Sequence, residues 1–377
     1  MFRLILILFI LINLVWIFSQ NSYTRQLGTA FWSSPRPVAT PFPSAEIPVM
    51  DSPVPSPSPA QSVAPKSDIK QPSTSALLHS QQYVYQTYNN CGPATLSMLL
   101  DFYGLNFTQQ QIADQLRPFN NPQGYNDDKS VTLDEMASFA TNQNLAAFKR
   151  ANGDLDKIKK LTTNGIPVIT ITWIDEKGGF GHYRIIKGYD DLKQEIIQDD
   201  SIFGQEKRVS YGEFMRLWQV FNYDYLVIVP AEKSELVKNI LGEEADERVA
   251  FVNALKRSLA EQSNFAVFNQ SINYYYLGQY DKSIQSFEQV QSKIPYRLIW
   301  YQLEPVLAYQ KNKNFDKVFS LTQQIIQSGN PSFSEIYQIR GEVYLEQSDK
   351  VQAKKEFEKA LLYNKNYQPA KLSLSQI

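Results

Sequence analysis

The 377-residue sequence predicts an α+β domain followed by an all-α helical solenoid, both behind an apolar N-terminal segment and a disordered Pro-rich linker. Three observations carry this. Between Asn164 and Asp200, β-branched and aromatic runs alternate with glycine and aspartate turns, as adjacent strands require. A helix-period apolar stretch headed by Cys91 precedes them. After Pro230 the pattern is helical to the end and repeats every 35 residues. The chain divides into residues 1–20, a signal peptide or membrane anchor; 21–77, the linker; 78–230, the α+β domain; 231–262, connecting helices; and 263–377, the repeats.

Residues Leu4 to Phe18 are apolar except Asn13 and follow the single charge of Arg3. The run shows no polar helical face, so it reads as an export segment, too short for an ordinary span and without a clear small-x-small cleavage site. This favours an uncleaved anchor with Arg3 on the cytoplasmic side and the domains outside, or secretion if the segment is cut. Eleven of the 20 prolines fall between Pro35 and Pro72, which makes that stretch an extended spacer with no core of its own.

The composition excludes several classes. With 37 basic and 38 acidic residues, no overall field draws the chain to nucleic acid. One cysteine, Cys91, and two histidines, His79 and His182, provide neither a disulfide nor a thiolate metal cage, and no cofactor is expected.

The run Gln86-Thr-Tyr-Asn-Asn-Cys91-Gly92-Pro93-Ala94 opens a helix at the cysteine, with Leu96, Met98, Leu99, Leu100, Phe102 and Tyr103 forming its apolar face and Gly104 at the expected C-terminal cap. A lone cysteine is as readily a buried structural residue. At a helix N-terminus, though, the backbone N–H groups and the dipole favour an attacking thiolate. The Cys91 N–H and the Gln86 side-chain amide are the two candidate donors to an oxyanion.

Three strands are expected in Ile166–Trp173, His182–Asp190 and Gln194–Asp200. His182 follows Gly178-Gly179-Phe180-Gly181, where little side-chain bulk should leave its imidazole accessible. Antiparallel pairing about the Asp190-Asp191 turn brings Asp199 or Asp200 beside it, and strand alternation allows only one of them. Cys91, His182 and one aspartate then form a nucleophile, a base and an orienting carboxylate, the parts needed for acyl transfer through a thioester.

Together, Gln86-x-Tyr88-Asn-Asn-Cys91-Gly92-Pro93-Ala94, Gly181-His182-Tyr183-Arg184, Gly188-Tyr189-Asp190-Asp191 and Asp200-Ser201 resemble the bacterial papain-like cysteine peptidases related to the double-glycine leader peptidases, family thirty-nine of that class. The resemblance covers residues 78–230. It implies a papain-like fold, with Cys91 as nucleophile, His182 as base, Gln86 as oxyanion donor and Asp200, ahead of Asp199, as third member. The chain has no Gly-x-x-x-x-Gly-Lys-Ser/Thr phosphate loop, so the resemblance implies the chemistry rather than leader processing by a transporter.

In the repeats, Tyr274, Tyr309 and Tyr344 share the 35-residue period, as do Ser283, Val318 and Ala353. Tyr337, Gly341, Tyr344, Ala353, Phe357, Ala360 and Pro369 resemble a tetratricopeptide repeat. The first unit keeps Tyr274, Gly278, Phe287 and Pro295, while the middle one carries Pro305 inside its expected first helix. A protein or peptide partner is expected on the concave face of the repeats.

These readings converge on an exported, membrane-tethered cysteine peptidase or amide hydrolase whose repeats recruit a peptide or protein. The alternatives are a catalytically idle domain in an envelope scaffold and an acyltransferase using the same residues.

Overall fold

The computed structural model describes residues 69–79, 82–118, 131–175, 177, 179–328 and 332–377. The N-terminal apolar segment and nearly all of the Pro-rich linker lie outside the described residues. Among the described residues, no helix is long and apolar enough to cross a membrane.

The chain enters as strand β1 (Ser75–Leu77) and continues through helices α1 (Cys91–Phe102), α2 (Gln109–Leu116) and α3 (Leu133–Asn142). Thr108 and Thr132 start the latter two with capping boxes, closed by Gln111 and Glu135, which satisfy the orphan N–H groups of the first turn. Strand β2 (Leu145–Arg150), α4 (Leu155–Thr163), β3 (Val168–Trp173), β4 (Gly181–Asp190), β5 (Glu195–Asp200), β6 (Gly204–Ser210), α5 (Tyr211–Gln219) and β7 (Tyr225–Pro230) complete the domain.

The seven strands form one antiparallel sheet ordered β2-β7-β3-β4-β5-β6, with β1 beside the far end of β4. Strand β3 is buried along its whole length between β7 and β4, which suits the run Val-Ile-Thr-Ile-Thr-Trp. The edge strand β6 is exposed and charged, which blunts edge-to-edge pairing. Beside β1, Gly188 is required: an added Cβ would lie 2.4 Å from the Ala76 carbonyl oxygen.

Beyond β7, α6 (Ser234–Leu241) and α7 (Glu247–Ala260) lead into helix pairs. The first pair is α8 (Asn264–Tyr276) with α9 (Tyr280–Val290), and Gly278, at φ +75°, makes its turn. The middle unit is α10 (Leu298–Tyr301), α11 (Glu304–Lys311) and α12 (Phe315–Gln327). The last pair is α13 (Ser334–Glu346) with α14 (Lys350–Tyr363), followed by α15 (Gln368–Ser375).

Pro305 does not lie inside a helix as its spacing suggests. The first helix of the middle unit is split, and Pro305 occupies the opening turn of α11, where its missing N–H costs nothing. Ser283, Val318 and Ala353 are fully buried, as expected of small positions between paired helices.

The helical half does not stand apart from the sheet domain. One hydrophobic cluster runs from Leu99, Trp173 and Phe221 into Phe268, Trp300, Tyr309 and Tyr367. Trp173 and Phe221 both meet the Tyr301 ring edge-on, at 6.2 and 5.6 Å between centroids. Asn222 and Asn273 exchange side-chain amide hydrogen bonds of 2.8 and 3.1 Å, and Asn269 donates to the Gln219 carbonyl at 2.7 Å. At the far end, buried Arg117 pairs with Glu335 of α13, and Asn364 donates to the Leu116 carbonyl at 3.1 Å. The contacts from α8 and α13 show that the first helices of these pairs face the sheet domain. Those parts of α8 and α13 are therefore packed against the chain's own sheet domain.

Candidate active site

Cys91 begins α1, whose N-cap Asn90 makes no side-chain capping bond. The Asn90 amide instead donates to Gln109 Oε1 at 3.0 Å, and Gln109 Nε2 donates to the Tyr85 carbonyl at 2.8 Å. Gln109, on a different helix, thus ties down the loop that carries both Gln86 and Cys91. Asn89 takes φ +52°, a left-handed conformation that asparagine accepts, and turns the chain into the helix. The residue after Cys91 must be glycine, because a Cβ at Gly92 would lie 2.5 Å from Val131 Cγ2.

Gln86 is fixed at both ends. Its backbone N–H donates to the Ser201 carbonyl at 2.9 Å, and the Ser201 hydroxyl donates to Gln86 Oε1 at 2.8 Å. With its oxygen engaged, the amide presents its NH2 group as donor.

His182 stands in β4 and Asp200 at the end of β5, on one face of the sheet. His182 Nε2 is 2.9 Å from Asp200 Oδ1, and the imidazole is also hydrogen-bonded to the Cys91 side chain. Asp200 Oδ1 further accepts the backbone N–H groups of Ile202 and Phe203 at 2.8 and 3.0 Å. Asp200 Oδ2 accepts Arg184 Nε at 2.7 Å. Arg184 itself is anchored to the carbonyls of Trp173 and Ile174, at 3.1 and 2.9 Å, and to the Thr172 hydroxyl.

Asp199 points to the other face. It pairs with Lys187 at 3.0 Å and accepts the Glu206 N–H at 2.8 Å, both away from the imidazole. Strand alternation thus separates the two adjacent carboxylates, and Asp200 is the one brought to His182.

Burial alone would raise the Asp200 carboxyl, but the charges of His182 and Arg184 and the hydrogen bonds it accepts hold it well below the usual carboxylate range. Burial alone would lower His182, yet the charge and hydrogen bond of Asp200 and the bond to Cys91 raise it, against opposition from Arg184. The carboxylate and the protonated imidazole stabilise each other.

The expectation of an accessible imidazole is overturned. His182 is 1% exposed and Cys91 4%, despite the glycines beside them. The helical half reaches this edge: Arg297 donates to the Gly179 carbonyl at 2.6 Å, and Tyr301 packs on Trp173.

The sequence motifs include Arg184 and Ser201 without giving either a role, and nothing in the sequence singles out Gln109. Arg184 lies two residues beyond His182, so alternation along β4 places both on one face, a signal that was readable. The roles of Ser201 and Gln109 depend on long-range approach, to Gln86 and to the Cys91 loop, which no local pattern reveals.

Residues 77–227 match the model of the Peptidase_C39 like family, a span that contains Gln86, Cys91, His182, Asp199 and Asp200. Among solved structures, the chain is similar to a C39-like peptidase from Bacillus anthracis, at 16% identity over 41% of this chain and 97% of that one, with a TM-score of 0.33. It is also similar to the peptidase domain of Streptococcus ComA, a bi-functional ABC transporter involved in quorum sensing, at 18% identity over 40% and 99%, with a TM-score of 0.30. A third likeness is to MamA, at 15% identity over 38% and 81%, with a TM-score of 0.29. No match was found among curated proteins.

Proposed function

We propose that this chain is a cysteine peptidase or related amide hydrolase, working through Cys91, His182 and Asp200. The family match of residues 77–227 supports the chemistry class. The observation that carries the residue assignment is His182 bridging the Cys91 side chain and Asp200.

In this reading His182 takes the Cys91 proton and the thiolate attacks the acyl carbon of an amide. The developing oxyanion is met by the Gln86 NH2 group and the Cys91 backbone N–H. His182 then returns the proton to the leaving amine as the C–N bond breaks, leaving a thioester. Water, deprotonated by His182, adds to the thioester and releases the acid and the thiol. Asp200 and Arg184 hold the imidazole in one orientation throughout.

One observation favours the idle-scaffold reading: the burial of both Cys91 and His182. Alkylation of Cys91 by iodoacetamide between about pH 5 and 9, in the wild type and in His182→Ala, separates the two. An activated pair predicts that the mutation slows the reaction below neutral pH by about 100-fold, on the scale of a general base. A rate that tracks an ordinary thiol and ignores the mutation would sink the proposal.

The proposal also places residues 78–377 outside the cytoplasmic membrane, with the N-terminal segment as anchor, on the strength of the apolar run Leu4 to Phe18. Protease added to spheroplasts should digest these domains. Their protection in intact spheroplasts, with digestion only after lysis, would contradict export.

A further inference from the structure

Between the sheet domain and the helical half lies a cavity of about 50 Å³. Among the described residues, Asp134, Asp224 and Glu304 line it, together with a single cation, Lys149. Asp134 engages that lysine at 2.9 Å, and the Tyr276 hydroxyl donates to Glu304 Oε1 at 2.9 Å. Three oxygens are shut away from solvent with no hydrogen-bond partner among the described residues: Asp224 Oδ1, Glu304 Oε2 and Gln302 Oε1. Glu304 and Gln302 are 7% and 6% exposed, and they reach the cavity from the helical half, while Asp224 reaches it from the sheet domain.

Every unmet group is an acceptor. A water molecule donates two hydrogen bonds and brings no charge, whereas a primary ammonium donates three and is positive. A cavity needs roughly 10–15 Å³ of such space to hold one water, so this one admits an ammonium head and the start of its stem. Among the described residues no three carboxylate, imidazole or thiolate groups stand close enough to hold a metal ion, so the fit is to a hydrogen-bonding cation. Burial raises the Asp224 carboxyl well above its ordinary range, and Glu304 and Asp134 push it further while Lys149 opposes. Burial raises Glu304 as well. A bound cation relieves both effects.

The cavity is close to the nucleophile. Tyr183, which follows His182, forms part of its wall, and a Cβ at Gly92, next to Cys91, would lie 3.4 Å from that ring. One tyrosine therefore separates the cavity from the turn that presents the thiol.

We propose that this interdomain cavity is a substrate subsite for a primary ammonium group, held by Asp224, Gln302 and Glu304, supplied by a lysine side chain or by the free N-terminus of a peptide. This deepens the peptidase reading and rests on it for the word substrate. The helical half then contributes to specificity directly, by completing a pocket that the sheet domain alone leaves open.

The test is calorimetric titration of the full chain with n-butylammonium, with butanol and inorganic ammonium as controls. Saturable binding of n-butylammonium is expected, with none for butanol, and a loss of about tenfold in affinity in both Glu304→Gln and Asp224→Asn, the scale of one charged hydrogen bond. Thermal unfolding of each variant establishes that it is folded, and the two lie on opposite walls, so one sound variant suffices. Absent binding, or equal affinity in a folded variant, overturns the site; inorganic ammonium binding as tightly as n-butylammonium overturns its role as a subsite.

Peptidyl chloromethyl ketones then distinguish the sources, read as thioether formation at Cys91 with loss of chloride. Faster labelling by a lysine peptide than by its norleucine counterpart supports the side chain. Faster labelling by a free N-terminus than by an acetylated one supports the terminus. If n-butylammonium binds but no chloromethyl ketone labels Cys91, the cation site stands and the peptidase reading falls.

Discussion

At the residue scale, two neighbouring aspartates have opposite tasks. Asp200 faces His182 and Arg184, while Asp199 neutralises Lys187, which is 2% exposed. Asp200→Asn should therefore cripple acyl transfer, because the imidazole loses the partner that orients it and stabilises its charge. Asp199→Asn should act on stability, because the buried Lys187 ammonium loses its nearer carboxylate and keeps Glu206 at 3.4 Å, a cost of about 1–3 kcal/mol. Chemical denaturation and thiol reactivity measured on both variants check this; a stable Asp199→Asn protein with depressed thiol reactivity would reverse the assignment.

At the element scale, the repeats show how one missing side chain sets a helix pair. Gly341 lies inside α13, where alanine is the better helix former by about 1 kcal/mol. A Cβ there would lie 2.4 Å from the Phe357 ring, and Phe357 is fully buried in α14 with no room to withdraw. Overpacking of this kind costs about 1–3 kcal/mol, so it outweighs the propensity gain. Gly341→Ala should lower the melting temperature, and an unchanged or raised value would mean that the pair separates easily. Pro305 teaches the converse at the same scale: a residue that breaks one helix is well placed to begin another.

At the scale of the whole molecule, the shared cluster and the buried polar bonds make the two halves one cooperative unit. Deleting residues 263–377 would expose Trp173 and Phe221 and strip Arg117 of Glu335. The full chain should melt in a single calorimetric transition, and residues 69–262 alone should be markedly less stable. Two separate transitions, with the truncated domain as stable as in the full chain, would show the halves to be independent. The repeats thereby share one hydrophobic cluster with the sheet domain instead of forming a separate body.

Much was legible in the sequence because it depends on near neighbours. The helix opening at Cys91, the three strands around His182 and Asp200, the rule that one aspartate alone can face the imidazole, and the 35-residue helical period all follow from local periodicity and turn chemistry. What the tertiary structure decided depends on residues far apart in the chain. Gln109 pinning the Cys91 loop, Ser201 orienting Gln86, the burial of His182, and the docking of the first helices on the sheet domain join segments up to 218 residues apart. A periodic pattern states which face of a helix is apolar, but it does not state what that face meets. The partner is set by shape and by the pairing of buried polar groups, which exist only once the chain has folded.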